Sequence, residues 1–144
     1  MIEITEKELL GSDWVQTLGD ESCGAVVTFE GRVRNHHDGK KVAELRYECY
    51  RPMALKILAH IREEAVRRWE LHDLWIVHRV GLVPLGETAV WVGTTSVHRK
   101  EAFEACAWVM DQVKMEAPIW KKETYADGSQ SWVEENCVSH HVHH

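Results

Sequence analysis

Residues 94–123, TTSVHRKEAFEACAWVMDQVKMEAPIWKKE, join a strand end to a helix and that helix to a further extended segment. The strand, residues 88–96, is almost continuously apolar or small, the composition of a strand covered on both faces and central in its sheet. The helix begins near Arg99, and Ala102, Phe103, Cys106, Val109, Met110 and Val113 recur at the three-to-four spacing of a buried stripe. Pro118 ends it, because proline has no amide proton and pushes the residue before it out of the helical region. Residues 119–125 are then extended.

Toward the N-terminus, residues 73–80 read as a strand and residues 81–86, with Pro84, as a loop. The helix before them is opened by Pro52, which suits a first helical turn. Ala54, Ile57, Leu58, Ile61, Ala65 and Trp69 line its inner face, while Lys56, Arg62, Glu63 and Arg67 face outward. Residues 42–49 alternate, with Leu45, Tyr47 and Cys49 on one face and Glu44, Arg46 and Glu48 on the other. Asp38-Gly39 is a hairpin signal joining them to a strand that Gly24 opens. Alternation along that strand puts Arg32 and Arg34 on one face. Residues 2–5 form a short strand, and Thr5 caps a short helix reaching Gly11 or Leu18. Beyond residue 125, Asp127-Gly128 turns and residues 131–134 pair back.

The order βαββαββαββ, with its hairpins, defines an α+β domain with a mixed, mostly antiparallel sheet. One domain spans residues 1–134, and residues 135–144 form a His-rich tail. At 144 residues the chain buries a core without disulfides or metals. A formal net charge of -6 excludes general nucleic-acid binding, and no apolar run approaches the roughly 20 residues of a membrane span. The four cysteines show no CxxC spacing, so free thiols in a reducing cytoplasm are expected. Seven tryptophans spread along the chain suit several packing layers or a partner surface.

Candidate chemistry rests on cations. His98-Arg99 stands where a strand passes into a helix, whose unpaired amides attract anions, and an arginine there adds a fork that fits phosphate oxygens. The alternative is an ordinary surface ion pair between Arg99 and an acid such as Glu101. Lys114 falls in the last helical turn, where the helix dipole favours a cation for structural reasons alone. Lys121 and Lys122 point to opposite faces, so at most one enters a given pocket. Arg32 and Arg34 either meet an anion or pair with Glu44 or Glu48 across the sheet. His36-His37 lacks a third ligand at metal spacing and reads as a solvated turn, and Cys106 reads as packing. Ser-His-Asp, Walker and dinucleotide signatures do not occur.

The segments GRVRNHHDGKKV, TTSVHRKEAFEAC and VKMEAPIWKKE and the closing SWVE resemble, in order and spacing, the large, catalytic subunits of molybdopterin synthases. The resemblance covers residues 20–134. It implies an α/β-hammerhead fold and the conversion of cyclic pyranopterin monophosphate to molybdopterin by installing two dithiolene sulfurs. It implies a small ubiquitin-like carrier subunit, thiocarboxylated on its C-terminal Gly-Gly, as sulfur donor, and a heterotetramer built around a homodimer of the large subunit. This chain has no Gly-Gly end and so resembles the acceptor. Matching residues by motif implies Lys114 and Lys121 as catalytic, with Arg32, Val33, Arg34, His98, Arg99, Lys114, Lys121, Lys122 and Glu123 binding substrate. No metal or redox cofactor is implied, because the partner delivers the sulfur. A rival reading is a noncatalytic module holding a phosphorylated ligand or an acidic tail, and a third is a structural dimer module.

Helix geometry adds one constraint. Fifteen residues separate Arg99 from Lys114, about 22 Å along a continuous helix. One small substrate does not reach both ends, so His98-Arg99 of one protomer is expected to complete the Lys114 pocket of the other.

Overall fold

The structure, a computed structural model, describes residues 1–134. In chain order the elements are β1 (Ile2–Thr5), a short helix α1 (Gly11–Trp14) continued by a 3-10 turn (Val15–Thr17), β2 (Ala25–Arg32) and β3 (His36–His37). There follow β4 (Lys40–Cys49), α2 (Arg51–Trp69), β5 (Asp73–Arg79), β6 (Gly81–Val83), β7 (Thr88–Ser96), α3 (Arg99–Glu116), β8 (Ile119–Tyr125) and β9 (Gln130–Glu134). One sheet has the order β1-β5-β7-β2, in which β1 runs parallel to β5 and the other pairs are antiparallel. In the second sheet β8 lies between β4 and β9, while β3 and β6 share the opposite edge of β4. This is the expected α+β, mostly antiparallel architecture.

β7 explains its own composition. All nine residues are buried, with β5 on one side and β2 on the other. Val90 and Val92 join the main core with Leu74 and Ile76 of β5, beneath α2 and α3. Trp91 and Val77 point the other way, into a second cluster with Leu9, Leu18, Trp14 and Trp75. The two faces therefore bury different partners, at about 1.5–3 kcal/mol for each large side chain removed from water. Leu45, Tyr47, Val83 and Ile119 of the second sheet belong to the main core, so both sheets close over one interior.

The tryptophans sort into three groups. Trp14 stands edge-on to Trp91 at 5.2 Å with Trp75 beside both, Trp69 packs on Trp108 at 5.4 Å between α2 and α3, and Trp120 and Trp132 are exposed. The turn between β3 and β4 has positive φ at both Asp38 (50°) and Gly39 (79°), the geometry that Asp-Gly favours in a two-residue hairpin.

Local expectations differ from the structure at four places. Thr5 Oγ1 accepts the Lys7 amide (3.1 Å), but helix α1 starts only at Gly11. Leu9 must first reach the tryptophan cluster, and a Cβ at Gly11 would lie 2.1 Å from Trp91 Nε1. Residues 81–86 are not all loop: Gly81, at φ +82°, turns the chain so that β6 pairs with the free edge of β4 and buries Val83. Arg62 turns inward, donating from Nε to Leu74 O (2.8 Å) and from Nη2 to Asp73 (3.0 Å). Phe103 is 60% exposed, and Ala105 takes its place in the buried stripe of α3.

Candidate anion-binding pocket

A cavity of about 330 Å³ opens where the two sheets meet under the C-terminal turn of α3. Its walls come from six elements, and each contributes for a local reason. The end of β2 supplies Phe29, Glu30, Gly31 and Arg32, and the following segment supplies Arg34. A register shift between Gly31 and Arg32 marks a bulge at this rim, the kind of irregularity that re-aims a side chain. Val33, between the two arginines, is buried in the core and donates its amide to Glu87 O (3.0 Å), so the arginines on either side face away from that core. Gly31 lets the strands approach, since a Cβ there would meet Val90 Cγ1 at 2.7 Å.

Helix α3 brings Met110, Val113 and Lys114 to the cavity from its last turns, and there the helix dipole also favours the Lys114 ammonium. Pro118 and the extended Ala117 then redirect the chain into β8, which adds Ile119 and Lys121. Lys121 is the register partner of Tyr47 on β4, and Tyr47 lines the same cavity. Four cations therefore converge, Arg32, Arg34, Lys114 and Lys121, against the single carboxylate of Glu30. Glu30 is itself engaged, accepting Thr88 Oγ1 at 2.9 Å and facing Arg32 at a loose 3.9 Å. A cavity with this charge balance and partly apolar walls favours a small, multiply anionic ligand that also has a flat or apolar body.

Two wall residues escaped the sequence reading. His78 is 4% exposed and lines the cavity; its Nδ1 lies 2.8 Å from Arg79 O. A carbonyl only accepts, so Nδ1 carries a proton. Its ring stands edge-on to Tyr47 with centroids 5.1 Å apart. The signal available was a histidine inside the otherwise apolar strand of residues 73–80. A buried titratable group in such a run has a partner or a task.

The remaining anticipated site residues lie elsewhere in this chain. His98 and Arg99 are exposed at the opposite end of α3, which runs unbroken from Arg99 to Glu116. Lys122 points away from the cavity, its Nζ 5.8 Å from the centre of the Trp132 ring. Glu123 is 3% exposed and holds the β3 hairpin: His37 Nδ1 lies 2.9 Å from Oε1, and the Tyr125 hydroxyl donates to it at 2.9 Å. That bond raises the pKa of the Tyr125 phenol. His37, expected in a solvated turn, is thus half-buried and bonded. Burial pushes the Cys106 thiol up to about 11, consistent with packing rather than nucleophilic use. Among the described residues one mixed Asp-Cys-His group exists, at the far end of β2 from this cavity.

Fold and site together define a class: an α+β protein with a cation-lined cavity in the seam between two sheets. A sequence model of the family described as MoaE protein matches residues 4–116. A molybdopterin synthase catalytic subunit from Thermoplasma volcanium is 41% identical over 91% of this chain and 96% of its own length. One from Oryza sativa is 47% identical over 84% of this chain, which spans 62% of the rice protein. The crystal structure of molybdopterin synthase from Staphylococcus aureus superposes with a TM-score of 0.85 at 37% identity, covering 91% of this chain and 95% of that one. The chain belongs to the MoaE family.

Proposed function

We propose that this chain is the catalytic subunit of a molybdopterin synthase, a sulfurtransferase acting on cyclic pyranopterin monophosphate with a thiocarboxylated small subunit as donor. The observation that carries the reading is the convergence of Arg32, Arg34, Lys114 and Lys121 on one cavity in a chain of this family. Each transfer forms a carbon–sulfur bond at the pterin side chain as a carbon–oxygen bond at the same carbon breaks, the oxygen leaving as water or as a freed phosphate oxygen. Water then cleaves the acyl–sulfur bond, leaving sulfur on the substrate and a carboxylate on the carrier. Every species in that sequence is an anion, so fixed cations favour both binding and the charge that develops on oxygen. Arg32 and Arg34 hold the phosphate and pterin. Lys114 pairs with the incoming thiocarboxylate and stabilises the oxyanion, and Lys121 assists from the facing strand. No metal or redox step is required of the chain.

His98 and Arg99 enter as the contribution of a second copy, and Val33, Lys122 and Glu123 support the wall strands from behind. The assembly is a homodimer carrying two small subunits, a heterotetramer, working in the reducing cytoplasm that suits the free thiols of Cys23, Cys49 and Cys106. The test is reconstitution with a thiocarboxylated small subunit and cyclic pyranopterin monophosphate, scoring the dithiolene product by mass. Product formation that depends on both components is expected. Binding of the small subunit without product would instead favour a noncatalytic binding module.

A further inference from the structure

The Asp-Cys-His group lies at the end of β2 remote from the cation-lined cavity. Asp20 and Cys23 stand on the loop before β2, and His72 stands on the turn between α2 and β5. One ligand atom from each lies within 4.8 Å of the others. His72 Nε2 and Asp20 Oδ2 are 3.1 Å apart. Two ligands held ~2.0 Å from a tetrahedral zinc ion are separated by about 3.3 Å, so this pair already has the spacing of one tetrahedral edge. A thiolate at ~2.3 Å completes a face once the Cys23 sulfur moves inward by roughly 1 Å, within the reach of one χ1 adjustment.

The surrounding chain holds these donors in place. Ser22 donates its amide (2.7 Å) and hydroxyl (2.6 Å) to Asp20 Oδ1, leaving Oδ2 aimed at His72 and lowering the Asp20 pKa. The Cys23 amide donates to Asp20 O (3.1 Å), closing a tight turn, and Gly19 at φ +77° admits the cysteine: a Cβ there would lie 3.3 Å from Cys23 Sγ. Both arms are tied to the same strand end. The His72 amide donates to Thr95 O (2.9 Å), and the Gly24 amide donates to Val97 O (3.1 Å). Independently, the fully buried Thr95 hydroxyl has no hydrogen-bond partner, although its Cβ is only 3.5 Å from the Gly19 Cβ position under this loop.

We propose that Asp20, Cys23 and His72 form a structural site for a thiophilic divalent cation, Zn²⁺ in particular, with water as fourth ligand. One carboxylate and one thiolate neutralise the ion. The sulfur and imidazole select zinc over magnesium or calcium. Binding releases the Cys23 thiol proton to solvent and shifts the His72 ring proton to Nδ1, so that Nε2 faces the metal. The ion staples the loop before β2 to the α2–β5 turn, next to the segment that leads into α3.

The test is a Co²⁺ titration of the full-length protein, read in the near ultraviolet where thiolate-to-cobalt charge transfer absorbs. One equivalent of Co²⁺ is expected to develop the band, and Zn²⁺ to displace it and raise Tm. Cys23→Ser and His72→Ala, with unchanged circular dichroism, should each abolish the band and weaken binding at least tenfold. Cys137→Ser, which removes the cysteine near His140 and His141, should leave it intact. A band that survives Cys23→Ser or His72→Ala, a band lost with Cys137→Ser, or no band at millimolar Co²⁺ overturns the proposal. None of these readouts depends on sulfur transfer.

Discussion

Lys114 has two reasons to be where it is, and they separate by experiment. The helix dipole at the end of α3 accounts for a cation on energetic grounds, worth about 0.3–1 kcal/mol at an exposed site. Under the proposed function, its place on the cavity wall gives the same cation a second role, as a ligand of an anionic substrate. Lys114→Gln keeps the helix and most of the packing but removes the charge. Turnover in the reconstituted system is expected to fall by about 100-fold or more, as when a charge-stabilising donor is removed, while Tm moves by only a few degrees. A large loss of Tm with proportionate loss of activity would make Lys114 structural. Gly93 presents the opposite case, a residue whose value is the absence of a side chain. A Cβ there would lie 2.6 Å from Trp91 Cη2 and 2.7 Å from Leu18 Cδ1, both buried. Gly93→Ala is therefore expected to destabilise by about 1–3 kcal/mol in denaturant unfolding, through overpacking rather than backbone strain.

Among the elements, β1, α2 and β5 are locked by one polar junction. Asp73 accepts hydrogen bonds from the Leu74 amide (2.8 Å), Trp75 Nε1 (3.1 Å) and Arg62 Nη2 (3.0 Å), while the Met1 ammonium donates to Leu74 O (2.8 Å). Partial burial alone would raise the Asp73 pKa, but these donors outweigh it and hold it below 3.8. A depressed carboxyl stabilises the fold above its unfolded pKa, and that contribution fades as pH falls through the folded value. Asp73→Asn should cost about 1–2 kcal/mol at pH 7 and progressively less in acid, the two unfolding curves converging once pH falls below the lowered folded value. A pH-independent difference would mean that the charge is irrelevant. Asp73 also shows where sequence pattern stops being informative. The longer strands, both long helices and the Asp38-Gly39 turn follow from local periodicity and turn chemistry, so they were legible. Arg62 was assigned outward because it falls outside the Ala54, Leu58, Ile61 and Ala65 stripe, yet its long side chain reaches back to the next strand. β6 is three residues long and exists only because β4 has a free edge to pair with, which is a tertiary fact. Likewise Arg32, Arg34, Lys114 and Lys121 were legible as cations, whereas His78 and Tyr47 became wall residues only when two sheets met.

For the whole molecule, the decisive quantity is the length of α3. It runs without interruption from Arg99 to Glu116, so Arg99 and Lys114 stand about 22 Å apart on one rigid rod. The cavity at the Lys114 end is lined by neither His98 nor Arg99. If all of these cations serve one reaction, two chains must share each site, and a two-fold dimer makes two equivalent composite sites. Subunit complementation tests this directly. Lys114→Ala and Arg99→Ala are each expected to be nearly inactive alone. In a co-expressed mixed dimer, the Lys114 of one chain meets the Arg99 of the other in one site, while the second site loses both. With statistical pairing, about a quarter of the wild-type sites are intact, and activity should recover to about that fraction. A self-contained site predicts no recovery, because neither chain then holds a complete set. Full activity of Arg99→Ala alone would remove the helix N-terminus from the reaction and confine the chemistry to the cations of the cavity.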